Sequence, residues 1–185
     1  DVYKRQEEGL VLKFHDEFNG TGEPDWNVWR WEEGFQRNQE LQWYQKENAI
    51  CKDGALIITG KEERVKNTNY EAGSSDWKKN REYAEYTSSC LITKDYRFRK
   101  GRMLVRAKIP TAMGAWPAIW LLPENAKWPS GGEIDVMERL NDDSIAYQTV
   151  HSHYTYTLGI KDHPKSHSTG VIHCLLYTSP SPRDP

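Results

Sequence analysis

Three carboxylates stand close together in the stretch GGEIDVMERL, residues 131–140: Glu133, Asp135 and Glu138. Like charges held near one another raise the pKa of at least one of them, so a protonated acid stands beside an ionised neighbour near neutral pH. Glycoside hydrolysis needs that division of labour between carboxyl groups. The stretch is therefore the first candidate for a reaction centre, and its chemistry depends on the element that carries it.

A helix is one interpretation of this stretch. Ser130 and Glu133 fit a capping box, apolar residues recur at a spacing of three, and Asn141 is a suitable residue to end the helix. On a helix the three carboxylates would diverge around the axis and form a solvated surface. The periodicity alone leaves helix and strand equally open.

A strand makes a sharper prediction for the same residues. Glu133 and Asp135 share one face of a strand, but Glu138 lies an odd number of residues from Glu133 and would face the core. One inserted residue, a β-bulge near Val136 and Met137, would return all three carboxylates to one face. The strand interpretation therefore requires a bulge.

The rest of the chain favours an all-β fold. Short segments rich in β-branched and aromatic residues are separated by Gly, Pro, Asn and Asp, and long amphipathic helices are not evident. In GRMLVRAKIP, residues 101–110, apolar and basic side chains largely alternate, as on a half-buried strand. The polar segment Asn67–Arg81 indicates a long surface loop. The predicted strands are Leu10–Phe18, Ala55–Gly60, Tyr86–Thr93, Gly101–Pro110, Ala115–Leu122 and Ser144–Tyr156. This pattern indicates an antiparallel sandwich or barrel in one domain.

Composition narrows the class of partner. The 25 Lys and Arg nearly balance the 27 Asp and Glu, so the chain lacks the positive field that nucleic-acid binding usually requires. Eight Trp and ten Tyr against four Phe favour rings with a polar handle, which suit sugars. No apolar run reaches the roughly 20 residues of a membrane-spanning helix. We therefore expect a carbohydrate partner, no nucleic acid and no membrane span.

The cysteines and the two termini carry little information on function. Cys51, Cys90 and Cys174 show no zinc spacing and predict no particular disulfide. The ends DVYKRQ and CLLYTSPSPRDP resemble translated sequencing-adaptor read-through, so we expect a native domain over residues 7–173, truncated at its C-terminal end, with non-native residues at 1–6 and 174–185. A charged N-terminal arm and a disordered Ser/Pro tail are the alternative.

Several motifs together resemble glycoside hydrolase family 16. They are WPAIWLLP (116–123) followed by GGEIDVMERL, with DEF (16–18) and NQELQWY (38–44) upstream. The E-I-D-x-x-E spacing is similar to the bulged, laminarinase-type branch, and the resemblance runs from about Phe14 to Gly170. It implies a curved antiparallel β-jelly-roll sandwich with a substrate cleft on its concave face.

The resemblance also implies roles for the three carboxylates. It makes Glu133 the nucleophile, Glu138 the general acid/base, and Asp135 the residue that orients and tunes the pair. The family retains anomeric configuration, for which two carboxyl groups about 5 to 5.5 Å apart are suited.

For substrate binding, the resemblance points to Trp116, Trp120, Trp128, His151 and Asn38. Trp116 and Trp120 are four residues apart and face the same side of a strand, although large aromatics also commonly fill cores. His151 in TVHSHY is expected to hydrogen-bond a sugar hydroxyl. With His153, which has the same parity on a strand, it could instead ligate a metal, but no third ligand stands at a suitable spacing.

The expected function is endo-acting retaining hydrolysis of a β-linked polysaccharide, first of all β-1,3-glucan. The segment 151–170 is longer and richer in His than in a plain laminarinase, which keeps an endo-β-galactosidase on host O-glycans or algal galactan open. A noncatalytic carbohydrate-binding sandwich is the other alternative. Family precedent implies an extracellular or periplasmic protein, and we expect a monomer without a required cofactor or catalytic metal. The resemblance leaves a structural calcium open for this chain, because family members often hold one.

Overall fold

The computed structural model describes residues 9–160 and 170–173. Residues 1–6 and 174–185, which the sequence predicts to be non-native, lie outside this range, as does Cys174. Regular structure in the described residues is almost entirely β, apart from a 3-10 turn at Lys46–Asn48 and a π-helical turn at His153–Thr157. The strands are β1 (Trp29–Trp31), β2 (Gln42–Tyr44), β3 (Ala49–Lys52), β4 (Ala55–Ile58), β5 (Lys61–Lys66), β6 (Tyr83–Ser88), β7 (Leu91–Thr93), β8 (Ala118–Leu121), β9 (Glu133–Glu138), β10 (Ile145–His151) and β11 (Gly170–His173). The all-β prediction is confirmed.

The chain divides into two compact units, an N-terminal unit Asp1–Met103 and a C-terminal unit Leu104–Pro185. In the N-terminal unit, β1 pairs with β7, β3 pairs with β4, and β2, β6 and β5 form a three-stranded sheet. The β2–β6 pair is parallel, an exception within the predicted antiparallel architecture. Parallel neighbours need a long connection, which β3, β4 and β5 supply here.

Aromatic residues form the described core of the N-terminal unit. Phe35, Trp43 and Ala84 are buried together, with Val65 and Trp77 packed against them. The rings of Phe35 and Trp43 meet edge to face with centroids 5.5 Å apart. This core lies on β2, β5 and β6 and on the segments beside them.

The predicted surface loop Asn67–Arg81 is confirmed as a stretch of turns between β5 and β6. Its ends are tied by Asn67, whose side chain is 1% exposed and donates hydrogen bonds to the carbonyl oxygens of Lys78 and Arg81, both at 2.8 Å. A buried amide that is satisfied by two carbonyls holds the ends of the loop together, in addition to the packing of Trp77 against the core.

The C-terminal unit contains an antiparallel sheet in the order β11-β10-β9-β8. The inner strand β9 contains a β-bulge. Against β8, Met137 lies opposite Ile119 and Asp135 lies opposite Trp120, so Val136 is the extra residue. Pairing with β10 shifts by one residue at the same place. The bulge predicted near Val136 and Met137 is confirmed, and the helix interpretation of this stretch is wrong.

Two of the predicted strands are wrong. Residues 10–18 and 101–110 contain no strand in the structure, and the boundary between the two compact units falls inside the second segment. An alternating pattern says which face of a strand would be buried, but a strand forms only where a neighbour takes up its backbone hydrogen bonds. The alternation of apolar and basic residues in GRMLVRAKIP was therefore not sufficient to form a strand.

Candidate active site

The bulged strand β9 turns its three carboxylates to one face. Positions 147, 149 and 151 of β10 alternate by two and so share a face. The carboxylates lie opposite these three positions: Glu133 pairs with His151, Asp135 with Thr149 and Glu138 with Tyr147. The extra residue Val136 restores the parity that the spacing of Glu133 and Glu138 breaks.

Asp135 is the most buried of the three carboxylates, with 4% of the residue exposed. Burial, followed by the negative charges of Glu138 and Glu133 and a hydrogen bond with Glu133, raises the pKa of Asp135 to about 7. The protonated carboxyl of Asp135 donates that hydrogen bond. The predicted rise of at least one pKa in the cluster is confirmed, and it falls on the central residue.

The two outer carboxylates each accept a hydrogen bond from an indole. Trp116 Nε1 donates to Glu138 Oε1 at 2.8 Å, and Trp128 Nε1 donates to Glu133 Oε2 at 2.6 Å. Both tryptophans keep much of their surface exposed, 49% for Trp116 and 44% for Trp128. The indoles therefore fix the glutamates and still present ring surface to solvent.

Backbone contacts hold the Trp116 segment beside the end of β9. Asn141 follows β9 in the left-handed conformation, with φ of 55°, and its backbone N–H donates to the carbonyl oxygen of Ala115 at 2.9 Å. Its side chain accepts a hydrogen bond from the backbone N–H of Gly114 at 2.8 Å. Asn tolerates this conformation better than most residues. The turn after β9 thereby places Trp116 next to Glu138.

The loop before β9 places Trp128 next to Glu133. This loop runs from residue 122 to residue 132, contains a cis peptide between Trp128 and Pro129, and ends at Gly131 and Gly132. A Cβ at Gly131 would lie 2.6 Å from Ala126 Cβ and 2.6 Å from Pro123 Cγ. Only glycine fits at this close approach, because real Cβ contacts are never so short.

The structure brings Trp120 and His151 to the same site. Trp120 of β8 lies opposite Asp135 in the sheet and is half-buried. His151 Nε2 lies 3.3 Å from Asp135 Oδ2. The site is therefore a row of carboxylates with indole and imidazole nitrogens around it, all within the C-terminal unit.

The pairing of His151 with His153 is not as predicted. β10 ends at His151, and His153 begins the π-helical turn, where its ring lies 6.5 Å from that of Tyr154. The like-facing parity on one strand is therefore wrong. Among residues 9–160 and 170–173, no group of three or more His, Cys, Asp or Glu is arranged to hold a metal ion. The absence of a required cofactor stays a prediction.

Asn38 lies in the N-terminal unit, apart in sequence from the carboxylate row. It has φ of 55°, and its Nδ2 donates to Glu40 Oε1 at 3.3 Å. Glu40 also accepts hydrogen bonds from Gln42 at 2.7 Å and from the Tyr44 hydroxyl at 3.2 Å. The motif NQELQWY thus forms a local polar network, and sugar binding by Asn38 stays a prediction.

Sequence reasoning missed Tyr156, Gly131 and Asn141 as parts of the site. Tyr156 contacts the rings of both Trp128 and His151. The unusual length of the segment after His151 was the available signal, but no spacing rule singles out one aromatic residue in an irregular turn.

Comparison with known proteins agrees with this geometry. A family model described as an XgeA-like catalytic domain of glycoside hydrolase family 16 matches residues 29–179. The chain is 37% identical over 161 residues to a β-glucanase of Rhodothermus marinus, an alignment that covers 80% of this chain and 51% of that protein. The chain thus spans about half the length of that curated relative.

Solved structures give the same picture. One solved structure is described in terms of endo-acting O-glycanases, which prominent members of the human gut microbiota express to initiate mucin breakdown. It matches with a TM-score of 0.76 and 37% identity, and the match covers 90% of this chain and 60% of that one. The laminarinase of Rhodothermus marinus has a TM-score of 0.67 and 32% identity, covering 88% of this chain and 61% of that one. These neighbours confirm the expected jelly-roll fold. Together with the bulged carboxylate strand and the family model, which spans most of the sequence, they establish that the chain belongs to glycoside hydrolase family 16.

Proposed function

We propose that this chain is the catalytic region of an endo-acting, retaining glycoside hydrolase that cleaves internal β-linkages of β-1,3-glucan. The observation that carries the proposal is the bulge at Val136, which gathers three carboxylates on one face of β9. A noncatalytic carbohydrate-binding sandwich has no need for three close carboxylates, because their mutual repulsion only costs stability.

In the first step, Glu133 attacks the anomeric carbon of the sugar while the bond to the glycosidic oxygen breaks. Glu138 gives its proton to that oxygen, so the leaving chain departs with a neutral hydroxyl. The Trp128 indole N–H, 2.6 Å from Glu133 Oε2, holds the nucleophile in one orientation. A covalent glycosyl–enzyme ester is formed.

In the second step, Glu138 removes a proton from water as the water oxygen attacks the same carbon. The ester bond breaks, its electrons return to Glu133, and the product keeps its configuration. Asp135 serves between the two glutamates as a neutral hydrogen-bond donor to Glu133, a role that suits its raised pKa of about 7.

The first test is separate replacement of the two glutamates in the full chain, Glu133→Ala and Glu138→Ala, with laminarin as substrate. Loss of the nucleophile or of the acid/base is expected to lower kcat by about three orders of magnitude or more, since each acts in the transition state. Asp142→Ala, an exposed carboxylate in the turn after β9, is the matched control and is expected to keep full activity. Substantial activity in either glutamate variant contradicts the assignment.

Sodium azide separates the two roles. In Glu133→Ala, azide enters from the vacated side, so the glycosyl azide has inverted configuration. In Glu138→Ala, azide attacks the covalent intermediate and the product keeps the β configuration. The opposite pairing of variant and product would reverse the two assignments.

The choice of substrate follows the relatives, which include a β-glucanase and a laminarinase of Rhodothermus marinus. A second candidate, an endo-acting enzyme on mucin-type O-glycans, is favoured by the 0.76 TM-score to the O-glycanase chain. Product profiles on laminarin, mixed-linkage glucan, agar and mucin-type glycans distinguish the two. In either case Trp116, Trp120 and His151 contact the sugars beside the cleaved bond.

The proposed activity needs no cofactor, so treatment with EDTA is expected to leave kcat on laminarin unchanged. Loss of activity on chelation with recovery on added calcium would contradict this.

We place the protein outside the cytoplasm, because polymeric glycans do not enter the cell. We also propose that it acts as a monomer. No helix in the described part of the chain is long and apolar enough to cross a membrane.

A further inference from the structure

Tyr156 is an aromatic residue whose position packing does not explain. Its side chain stands on the turn after β10, and 62% of the residue is exposed. Yet its ring contacts that of Trp128, with centroids 4.3 Å apart and an interplanar angle of 65°. Burial of apolar surface is the usual reason for aromatic contacts, and a pair that stays largely exposed has another use.

The turn that carries Tyr156 is a built structure. Ser152 and Thr155 form a reciprocal capping box, in which the Ser152 backbone N–H donates to Thr155 Oγ1 at 2.9 Å. The backbone N–H of Tyr156 donates to the carbonyl oxygen of Ser152 at 3.0 Å, and that of Leu158 donates to His153 at 3.1 Å. The last bond spans five residues, a π-helical spacing that is rare and often found at functional sites. Tyr156 is therefore held in place by its backbone.

Both aromatic neighbours of Tyr156 contact carboxylates of the row formed by Glu133, Asp135 and Glu138. Trp128 donates to Glu133 at 2.6 Å, and His151, whose ring lies 6.4 Å from that of Tyr156, is 3.3 Å from Asp135. Tyr156 thus stands one residue away from the reacting groups, on the Glu133 side of the row.

The two rings meet edge to face at 65°, and both residues keep a large exposed fraction, 44% for Trp128 and 62% for Tyr156. A hexopyranose presents axial C–H groups on its ring face and hydroxyls around its edge, so one face stacks on an indole while the phenol covers its side. We propose that Tyr156 and Trp128 form a sugar subsite next to Glu133, in which Tyr156 is a specificity-determining residue that binds a hexopyranosyl unit of the glycan. The kinetic part of this inference rests on the proposed hydrolysis, but the binding part does not.

The kinetic test compares Tyr156→Ala with Tyr156→Phe in the full chain. Loss of the ring is expected to raise KM for the cleaved polysaccharide about ten-fold with kcat within about three-fold, because the contact binds ground state and transition state alike. Tyr156→Phe keeps the ring and is expected to keep most of the affinity. Tyr154→Ala, on the same turn with its ring beside His153, is the matched control and is expected to behave like the parent.

The binding test uses the inactive Glu138→Gln chain, with and without Tyr156→Ala. Calorimetric titration with laminaritetraose and with lacto-N-neotetraose covers the glucan and the β-galactoside class. At least one probe is expected to bind, about ten-fold more weakly without the Tyr156 ring. Equal affinity of the two chains, equal loss in Tyr154→Ala, or no binding of either probe overturns the subsite. Absence of cleavage by the parent chain would instead overturn the hydrolase proposal while leaving the titration readable.

Discussion

Among the described residues, Asp135 is the most buried carboxyl group, with 4% of the residue exposed, and it lies between two other carboxylates. Its pKa of about 7 has burial as its largest cause and the charges of Glu138 and Glu133 as the next. A neutral acid at this point donates to Glu133 without adding a third negative charge to the row. Because the pKa of Asp135 is raised in the folded chain, the free energy of unfolding depends on pH.

The sign of that dependence follows from linkage. The pKa of Asp135 is higher in the folded chain than its ordinary value of 3.8, so the folded state holds a proton that the unfolded state has lost. The contribution of Asp135 to stability is therefore fully present below pH 3.8 and is lost as the pH rises to about 7. The loss is about 1.4 kcal/mol for each pH unit between the two values.

Asp135→Asn removes this dependence, because an amide stays neutral and still donates a hydrogen bond. Between pH 5 and pH 8 the free energy of unfolding of the parent chain is expected to fall by about 3 kcal/mol relative to that of the variant. Urea unfolding of both chains at the two pH values measures the difference, with the exposed Asp142→Asn as control. Parallel pH dependence of parent and Asp135→Asn would show that the carboxyl is ionised in the folded chain.

At the scale of elements, the loop from residue 122 to residue 132 determines where Trp128 meets Glu133. Gly131 allows the loop to fold against Pro123 and Ala126, with no room for a side chain. The strand β9 begins two residues later. A change in this loop is therefore transmitted directly to Glu133 through the Trp128 indole.

Gly131→Ala is expected to lower stability by about 1 to 3 kcal/mol through overpacking, and to lower kcat/KM more than about ten-fold by displacing the Trp128 indole. Gly60→Ala is a matched control, because a Cβ there meets nothing within 4 Å and its backbone conformation is ordinary. Thermal unfolding and laminarin kinetics measure the two effects. Equal behaviour of the two variants would mean that the loop adapts without moving Trp128.

The sequence predicted some elements well and others not at all. The segments around β4, β8 and β10 were predicted to within a few residues at their start or end, because their composition is strongly β-branched and aromatic. The bulge was predicted from one odd spacing in β9. Short strands such as β1 and β2 were missed, since three residues carry no periodicity and their pairing partners lie far along the chain.

The catalytic candidates were predictable because a spacing motif names them, whereas their supporting residues were not. The hydrogen bonds of Trp116 and Trp128 to the glutamates depend on loop conformation, which Asn141 and Gly131 set. Aromatic residues read alike in a sequence whether they fill a core, as Trp43 does, or orient a carboxylate.

At the scale of the whole molecule, charge limits the class of glycan. The chain has a net charge of −2, with 25 basic and 27 acidic residues. A strongly sulfated polymer would favour a concentrated lining of Arg and Lys around the site. Among the described residues, two indoles and an imidazole contact the carboxylate row and a phenol contacts one of the indoles, and these groups suit a neutral sugar.

Activity on a neutral glycan is therefore expected to be nearly independent of salt. Raising NaCl from about 0.1 M to about 1 M shortens the screening length from about 10 Å to about 3 Å, which removes long-range attraction between a polyanion and a protein. Since stacking and hydrogen bonding at close range are little screened, kcat/KM on laminarin is expected to change by less than about two-fold. Initial rates at several laminarin concentrations in both salts measure this. A sulfated galactan cleaved at low salt, with a rate that falls ten-fold or more at high salt, would show that charge recruits the substrate and would move the assignment to an anionic polymer.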